Sequence, residues 1–236
     1  MVARFPCFVM TTPHAFPTAT LRALEPLGLP HPSRGYLCAM HVAILDNLDS
    51  FTFNLAHRLE PMVDRVTVVR NDDAHAMDIL ESGDVLIFSP GPGLPPDAGC
   101  LMEAVQRFVG RKPILGVCLG MQALGLHAGG TLYHAGPPQH GVARTIDQAL
   151  VHSHLFANMS FPMEVGLYHS WAVEGIDEAV TARLSHGVAM AAEWPELGAY
   201  AVQFHPESIL TPAGDALLAN WVARAREDAA RLAGRA

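Results

Sequence analysis

The chain has 236 residues, 50% hydrophobic and 16% charged, which fits one globular domain with a sizeable core. A formal net charge of −8 with no Lys/Arg cluster argues against a nucleic-acid partner, and no uninterrupted apolar run approaches the ~18 residues of a membrane span. The four cysteines, Cys7, Cys38, Cys100 and Cys118, have neither metal-site spacing nor the density of a disulfide scaffold.

Residues 1–39 carry six prolines and no sustained periodicity beyond a short helical stretch at 19–27. The early apolar run is broken by Pro6 and Pro13 and has only Arg4 as a charge, which argues against a secretory signal. The segment reads as a dispensable leader, or as the product of a start codon placed too early, ahead of Met40. From residue 40 to 236 the pattern is that of one domain. Strands are expected at 41–46, 66–70, 85–88 and 114–117, and helices at 51–59, 99–109 and 121–127. Such alternation predicts an α/β fold with an open, mostly parallel sheet covered by helices on both faces. After Gly129-Gly130 the texture changes to short strands at 131–134, 163–168, 189–194 and 200–204, a small antiparallel region. A last helix is expected at 212–230, where Leu217, Leu218, Trp221 and Val222 recur at helical spacing.

The chemistry begins at Cys118. An apolar strand runs into Gly116-Val117-Cys118-Leu119-Gly120, and a helix follows. This is the nucleophile-elbow pattern with cysteine in place of serine. Glycines flank the turn because side chains there collide with neighbouring strands. The turn is expected to throw the thiol into solvent at a helix N-terminus, which favours the reactive thiolate. Far downstream, Gln203-Phe204-His205-Pro206-Glu207-Ser208 closes a short apolar strand. A cysteine nucleophile needs a base, and the base needs a group that fixes its tautomer. His205 and Glu207 supply both, with Pro206 stiffening the backbone between them. Among the thirteen histidines, His152, His154 and His169 have no carboxylate or cysteine completing a set, so no metal site is expected.

Together these motifs resemble the class I (triad) glutamine amidotransferases. Ile44 to Leu55 is similar to the opening strand and loop of the chorismate-linked members. Ser89-Pro90-Gly91-Pro92-Gly93 is similar to their oxyanion-loop segment, and Tyr168-His169-Ser170-Trp171 to their Tyr-His-Ser-Leu segment. The resemblance runs from about Met40 to the C-terminus, and within the family it points to the glutaminase subunits of anthranilate synthase and aminodeoxychorismate synthase. It implies a flavodoxin-like domain with a Cys118-His205-Glu207 triad. It implies oxyanion donors at Gly93 and Leu119 in a loop formed with Gly91 and Pro92, and glutamine contacts at Gln122, Ser170 and Trp171. Asp49 and Ser50 read more simply as helix caps. Met121, Trp171, Leu167 and Val142 stand where the family more often has histidine, leucine, arginine and lysine.

The implied activity is hydrolysis of L-glutamine without a cofactor in this subunit. Nothing in the chain binds chorismate recognisably, and its length leaves no room for the larger synthase domain. Ammonia is therefore expected to pass to a chorismate-using partner, component I of anthranilate synthase or of aminodeoxychorismate synthase, which needs Mg²⁺. A reducing cytoplasm suits the thiol. Two other readings stay open: a free-standing amide or γ-glutamyl hydrolase on the same scaffold, and a non-catalytic regulatory subunit.

Overall fold

The computed structural model describes residues 39–234. The expected leader, with its short helix, lies outside the described residues except for Ala39. The elements run β1 (His41–Asp46), α1 (Thr52–Leu59), β2 (Arg65–Arg70), α2 (Ala76–Ser82), β3 (Val85–Phe88), α3 (Leu101–Phe108), β4 (Ile114–Val117) and α4 (Leu119–His127). There follow β5 (Thr131–His134), β6 (Val142–Ile146), β7 (Met163–Leu167), β8 (Trp171–Glu174), β9 (Val180–Arg183), β10 (Ala189–Trp194), β11 (Ala199–Val202) and α5 (Gly214–Ala233).

One sheet organises the molecule, in the order β2-β1-β3-β4-β11-β10-β9. The strands from β2 to β11 run parallel, and β10 and β9 add antiparallel strands on the far side. Side chains alternate across each strand and so feed two cores. Val42 and Ile44 of β1 pack with Leu55 and Leu59 of α1 and with Leu217, Leu218 and Trp221 of α5. Ala43 and Leu45 face the other way, onto Leu80 of α2, Leu101, Val105 and Phe108 of α3, and Leu124 of α4. Burial on both faces explains the continuous apolar runs of β1, β3 and β4. In α3 the buried positions 101, 104, 105 and 108 form one helical stripe.

The expected parallel sheet between two helical layers is present. Four elements were not anticipated. In α2 only Ala76 and Leu80 are buried and no side chain caps its start, so it carries little periodic signal. β6 is exposed except at its ends, while β8 and β9 are four residues each. The antiparallel region is also not a single unit: β10 and β9 extend the main sheet, whereas β5-β8 and β6-β7 form separate two-stranded ladders. Near His152 and His154, the buried Glu193 carboxylate accepts the backbone N–H of His154 at 2.9 Å and of Leu155 at 3.2 Å, and the hydroxyl of Ser153. The His154 ring meets Tyr200 edge-on. Among the described residues no three His, Cys, Asp or Glu side chains converge as metal ligands, and no helix is long and apolar enough to cross a membrane.

Candidate active site

The parallel strands β1, β3, β4 and β11 deliver their C-terminal ends to one edge of the sheet, where open α/β folds place ligands. β4 ends in Cys118, whose φ of 52° and ψ of −100° lie in a region that costs a non-glycine residue on the order of 1–3 kcal/mol. Its surroundings hold it there. Its N–H donates to the Val202 carbonyl at 2.8 Å. A methyl on Gly120 would lie 2.2 Å from the Phe88 carbonyl oxygen of β3, and one on Gly116 would lie 2.6 Å from the Gly120 carbonyl oxygen. The first obstacle is the neighbouring strand, as expected; the second is the following helical turn.

β11 continues into a turn, 203–208, that is buried throughout. His205 Nδ1 donates to Glu207 Oε1 at 2.6 Å, which leaves Nε2 buried without a hydrogen-bond partner. The turn is tied on several sides. The His205 N–H donates to Gly166 O at 3.0 Å, and Thr211 Oγ1 donates to His205 O at 2.7 Å while accepting the Gly166 N–H at 2.9 Å. Arg58 of α1 donates to the Glu207 carbonyl at 3.0 Å and pairs with Asp215 at 2.5 Å.

Burial works against the His205 imidazolium, but the neighbouring Cys118 sulfur and the hydrogen-bonded Glu207 carboxylate outweigh it and push its pKa up to about 10. His169 behaves oppositely. Burial dominates and takes it down to about 4, so it is neutral at pH 7, with Nδ1 donating to the Trp171 carbonyl at 2.9 Å.

The thiol is not thrown into solvent. Cys118 is only 5% exposed, because the Gln203 carboxamide lies against Sγ and the rings of Phe51 and Tyr168 pack on His205 at 5.6 and 4.7 Å between centroids. Gln122, read as a substrate contact, is buried on α4, with Nε2 donating to Trp171 O at 2.9 Å and Oε1 unpartnered. The Trp171 carbonyl thus receives both Gln122 and His169 and has no lone pair left. The Ser170 carbonyl accepts the Ala135 N–H at 2.9 Å and keeps one lone pair.

The Gly91-Pro92-Gly93 loop abuts the elbow. A methyl on Gly91 would lie 2.8 Å from the Leu119 side chain and 2.5 Å from Asn47 Cβ. Gly93 has a φ of +77° and open space before it, while Pro92 has no N–H to give. The expected caps Asp49 and Ser50 do not cap α1: its N-cap is Phe51, with no side-chain cap, and the Asp49 carboxylate instead accepts the Phe51 N–H at 2.7 Å in a turn ahead of the helix. The unusual residues Val142 and Leu167 prove to be direct cross-strand partners in β6-β7, an apolar pair in register.

Three residues around the triad lie in motifs quoted from the sequence but have no role assigned there. Phe51 and Tyr168 cover His205, and Tyr168 OH pairs with Ser208 Oγ at 3.0 Å. Gln203 is wholly buried against the sulfur. The available signal for Gln203 was a polar side chain ending an apolar strand directly ahead of the histidine motif.

A strained cysteine facing a histidine-glutamate pair at the edge of a doubly covered sheet defines a thiol-dependent amide hydrolase or transferase. The family model described as glutamine amidotransferase class-I matches residues 43–225, and the chain belongs to that family. It is 40% identical over 191 residues to anthranilate synthase component 2 of Lactococcus lactis, covering 79% of this chain and 96% of the relative. It is 37% identical over 192 residues to aminodeoxychorismate/anthranilate synthase component 2 of Bacillus subtilis, covering 79% and 98%. The fold is similar to that of the crystal structure of a glutamine amidotransferase from Thermotoga maritima, at a TM-score of 0.66 and 12% identity over 80% of this chain and 99% of that one.

Proposed function

We propose that the chain is the glutaminase subunit of a chorismate-using synthase and serves anthranilate formation for tryptophan. The observation that carries the chemistry is the juxtaposition, on the paired strands β4 and β11, of the strained Cys118 and the hydrogen-bonded His205-Glu207 pair. The Cys118 thiolate attacks the side-chain carbonyl carbon of L-glutamine and forms the C–S bond. The N–H groups of Gly93 and Leu119 receive the oxyanion. As the tetrahedral adduct collapses, the C–N bond breaks and the His205 imidazolium, held by Glu207, gives its proton to the departing nitrogen as ammonia leaves. Water then attacks the glutamyl thioester and passes a proton back to His205. Glutamate leaves, and the thiolate and imidazolium are restored.

The ammonia is passed to the partner, a component I synthase subunit that binds chorismate and Mg²⁺; no cofactor serves this half of the reaction. The reducing cytoplasm is the setting that keeps the thiol active. Aminodeoxychorismate synthesis, for folate, is the second reading, favoured by the double name of the Bacillus subtilis relative.

Glutamate release by the purified chain, measured with and without chorismate and each candidate synthase partner, tests the proposal. Slow release alone and an acceleration of about 10²–10³ with the right partner, the worth of one well-placed oxyanion donor, is the expected result. Full activity that no chorismate-using partner changes favours a free-standing hydrolase.

A further inference from the structure

The side chain that donates a hydrogen bond to Cys118 Sγ, among the described residues, is not the histidine. It is Gln203, whose Nε2 lies 3.5 Å from the sulfur. Gln203 is wholly buried, and its backbone N–H donates to Met190 O of β10 at 2.9 Å. Its side chain is oriented from behind: Gln122 Nε2 reaches Gln203 Oε1 at 3.4 Å and also donates to the Trp171 carbonyl at 2.9 Å. With one oxygen accepting, the Gln203 amide has a single sense, its N–H₂ toward the sulfur. A carboxamide that accepts at one end is polarised into a better donor at the other.

β11, which leads directly into Gln203, also holds the elbow backbone, since Val202 O receives the Cys118 N–H. Backbone and sulfur of the nucleophile are thus gripped by consecutive residues, while His205 Nε2 makes no hydrogen bond. We propose that Gln203 is a positioning residue for the nucleophile: its carboxamide, aligned by Gln122, holds the Cys118 sulfur and its negative charge in place for attack. Gln122 answers at once to Gln203 and to Trp171, so the glutamine-binding segment and the sulfur share one hydrogen-bonded chain. The proposal rests on the glutaminase reading for its kinetic consequence, but not for its chemical one.

The test uses two substitutions in the full-length chain. Gln203→Met keeps the volume and removes the donor. Gln203→Glu keeps the shape and the acceptor for Gln122 but presents a carboxylate to the sulfur. Alkylation of Cys118 by iodoacetamide at pH 7, followed by peptide mass spectrometry on the free chain, reads the thiolate without any glutaminase activity. A hydrogen bond to a charged group of ordinary strength corresponds to about tenfold, so alkylation should slow about tenfold in Gln203→Met and further in Gln203→Glu. In the complex, kcat for glutamine should fall by a similar factor with KM changed less than about twofold. Wild-type alkylation rates in both folded variants, or a rise in KM alone, overturn the proposal. Slowed alkylation in a protein that never hydrolyses glutamine sinks the glutaminase reading instead.

Discussion

The elbow at Cys118 and the turn at residues 203–208 end neighbouring parallel strands, yet opposite means hold them. The elbow is fixed by missing side chains. Its backbone sits at a φ of 52°, and Gly116 and Gly120 let β3, β4 and α4 close to distances that no Cβ tolerates. The base turn is fixed by side chains that are present: Glu207 on the imidazole, Thr211 tying the His205 carbonyl to β7, and Arg58 on the Glu207 carbonyl. Geometry imposed by exclusion fails abruptly when a single methyl is added. Geometry imposed by hydrogen bonds erodes by steps.

Removing the nucleophile itself has the largest expected effect. Cys118→Ser should abolish glutamine-dependent synthesis by the complex while leaving ammonia-dependent synthesis intact, since the backbone on both sides is untouched. Loss of both activities in an assembled complex contradicts the assignment.

Glu207→Gln comes next, with glutaminase turnover expected to fall by about 10³–10⁴, because an amide still bonds the ring but no longer stabilises the imidazolium. The same variant has a pH signature. The His205 pKa is raised in the fold from 6.5 to about 10, so the stability gained from its partners is full below pH 6.5 and is lost as pH rises through about 10. Melting temperature should decline across that window in the parent and decline less in the variant; parallel curves would detach Glu207 from the shift.

Gly120→Ala probes the other side. The methyl meets the Phe88 backbone carbonyl at 2.2 Å, and strand backbone does not yield, so a loss of about 3 kcal/mol is expected in urea unfolding. A drop under 1 kcal/mol would show the elbow to be more pliant than its packing implies. Smallest is Thr211→Val, which leaves the Gly166 N–H and the His205 carbonyl without this partner. It should cost about 1–3 kcal/mol and slow turnover modestly, consistent with a turn whose remaining ties persist. Turnover as low as that of Glu207→Gln would erase the distinction between the two halves.

What the sequence disclosed follows the same division. Backbone demands leave a mark on residue type, so Gly116, Cys118 and Gly120 were readable as an elbow, and His205 and Glu207 as a stiff pair two residues apart. The parallel strands were readable because two-sided burial writes continuous apolar runs. Gln203, Phe51 and Tyr168 acquire their roles only from segments far away in the chain, and no local pattern announces that Phe51 covers His205. The burial of the thiol was missed for that reason: the elbow motif describes its own turn, not the residues that close over it. β6 and β8 were missed because their inward positions are few and their register comes from partners rather than from strong alternation.

β11 enters the sheet between β4 and β10, although β4 precedes it in the chain by some eighty residues. Synthesis runs from the N-terminus and domains fold as their parts emerge, so the cysteine leaves the ribosome long before its base. A nascent chain stopped short of Ala199 carries a thiol with no histidine and a β4 edge with no neighbour, the kind of bare edge that recruits other strands. Glutamine hydrolysis by freshly translated protein thus dates the seating of β11 and of the turn and helix that follow it, and is silent about the steps before.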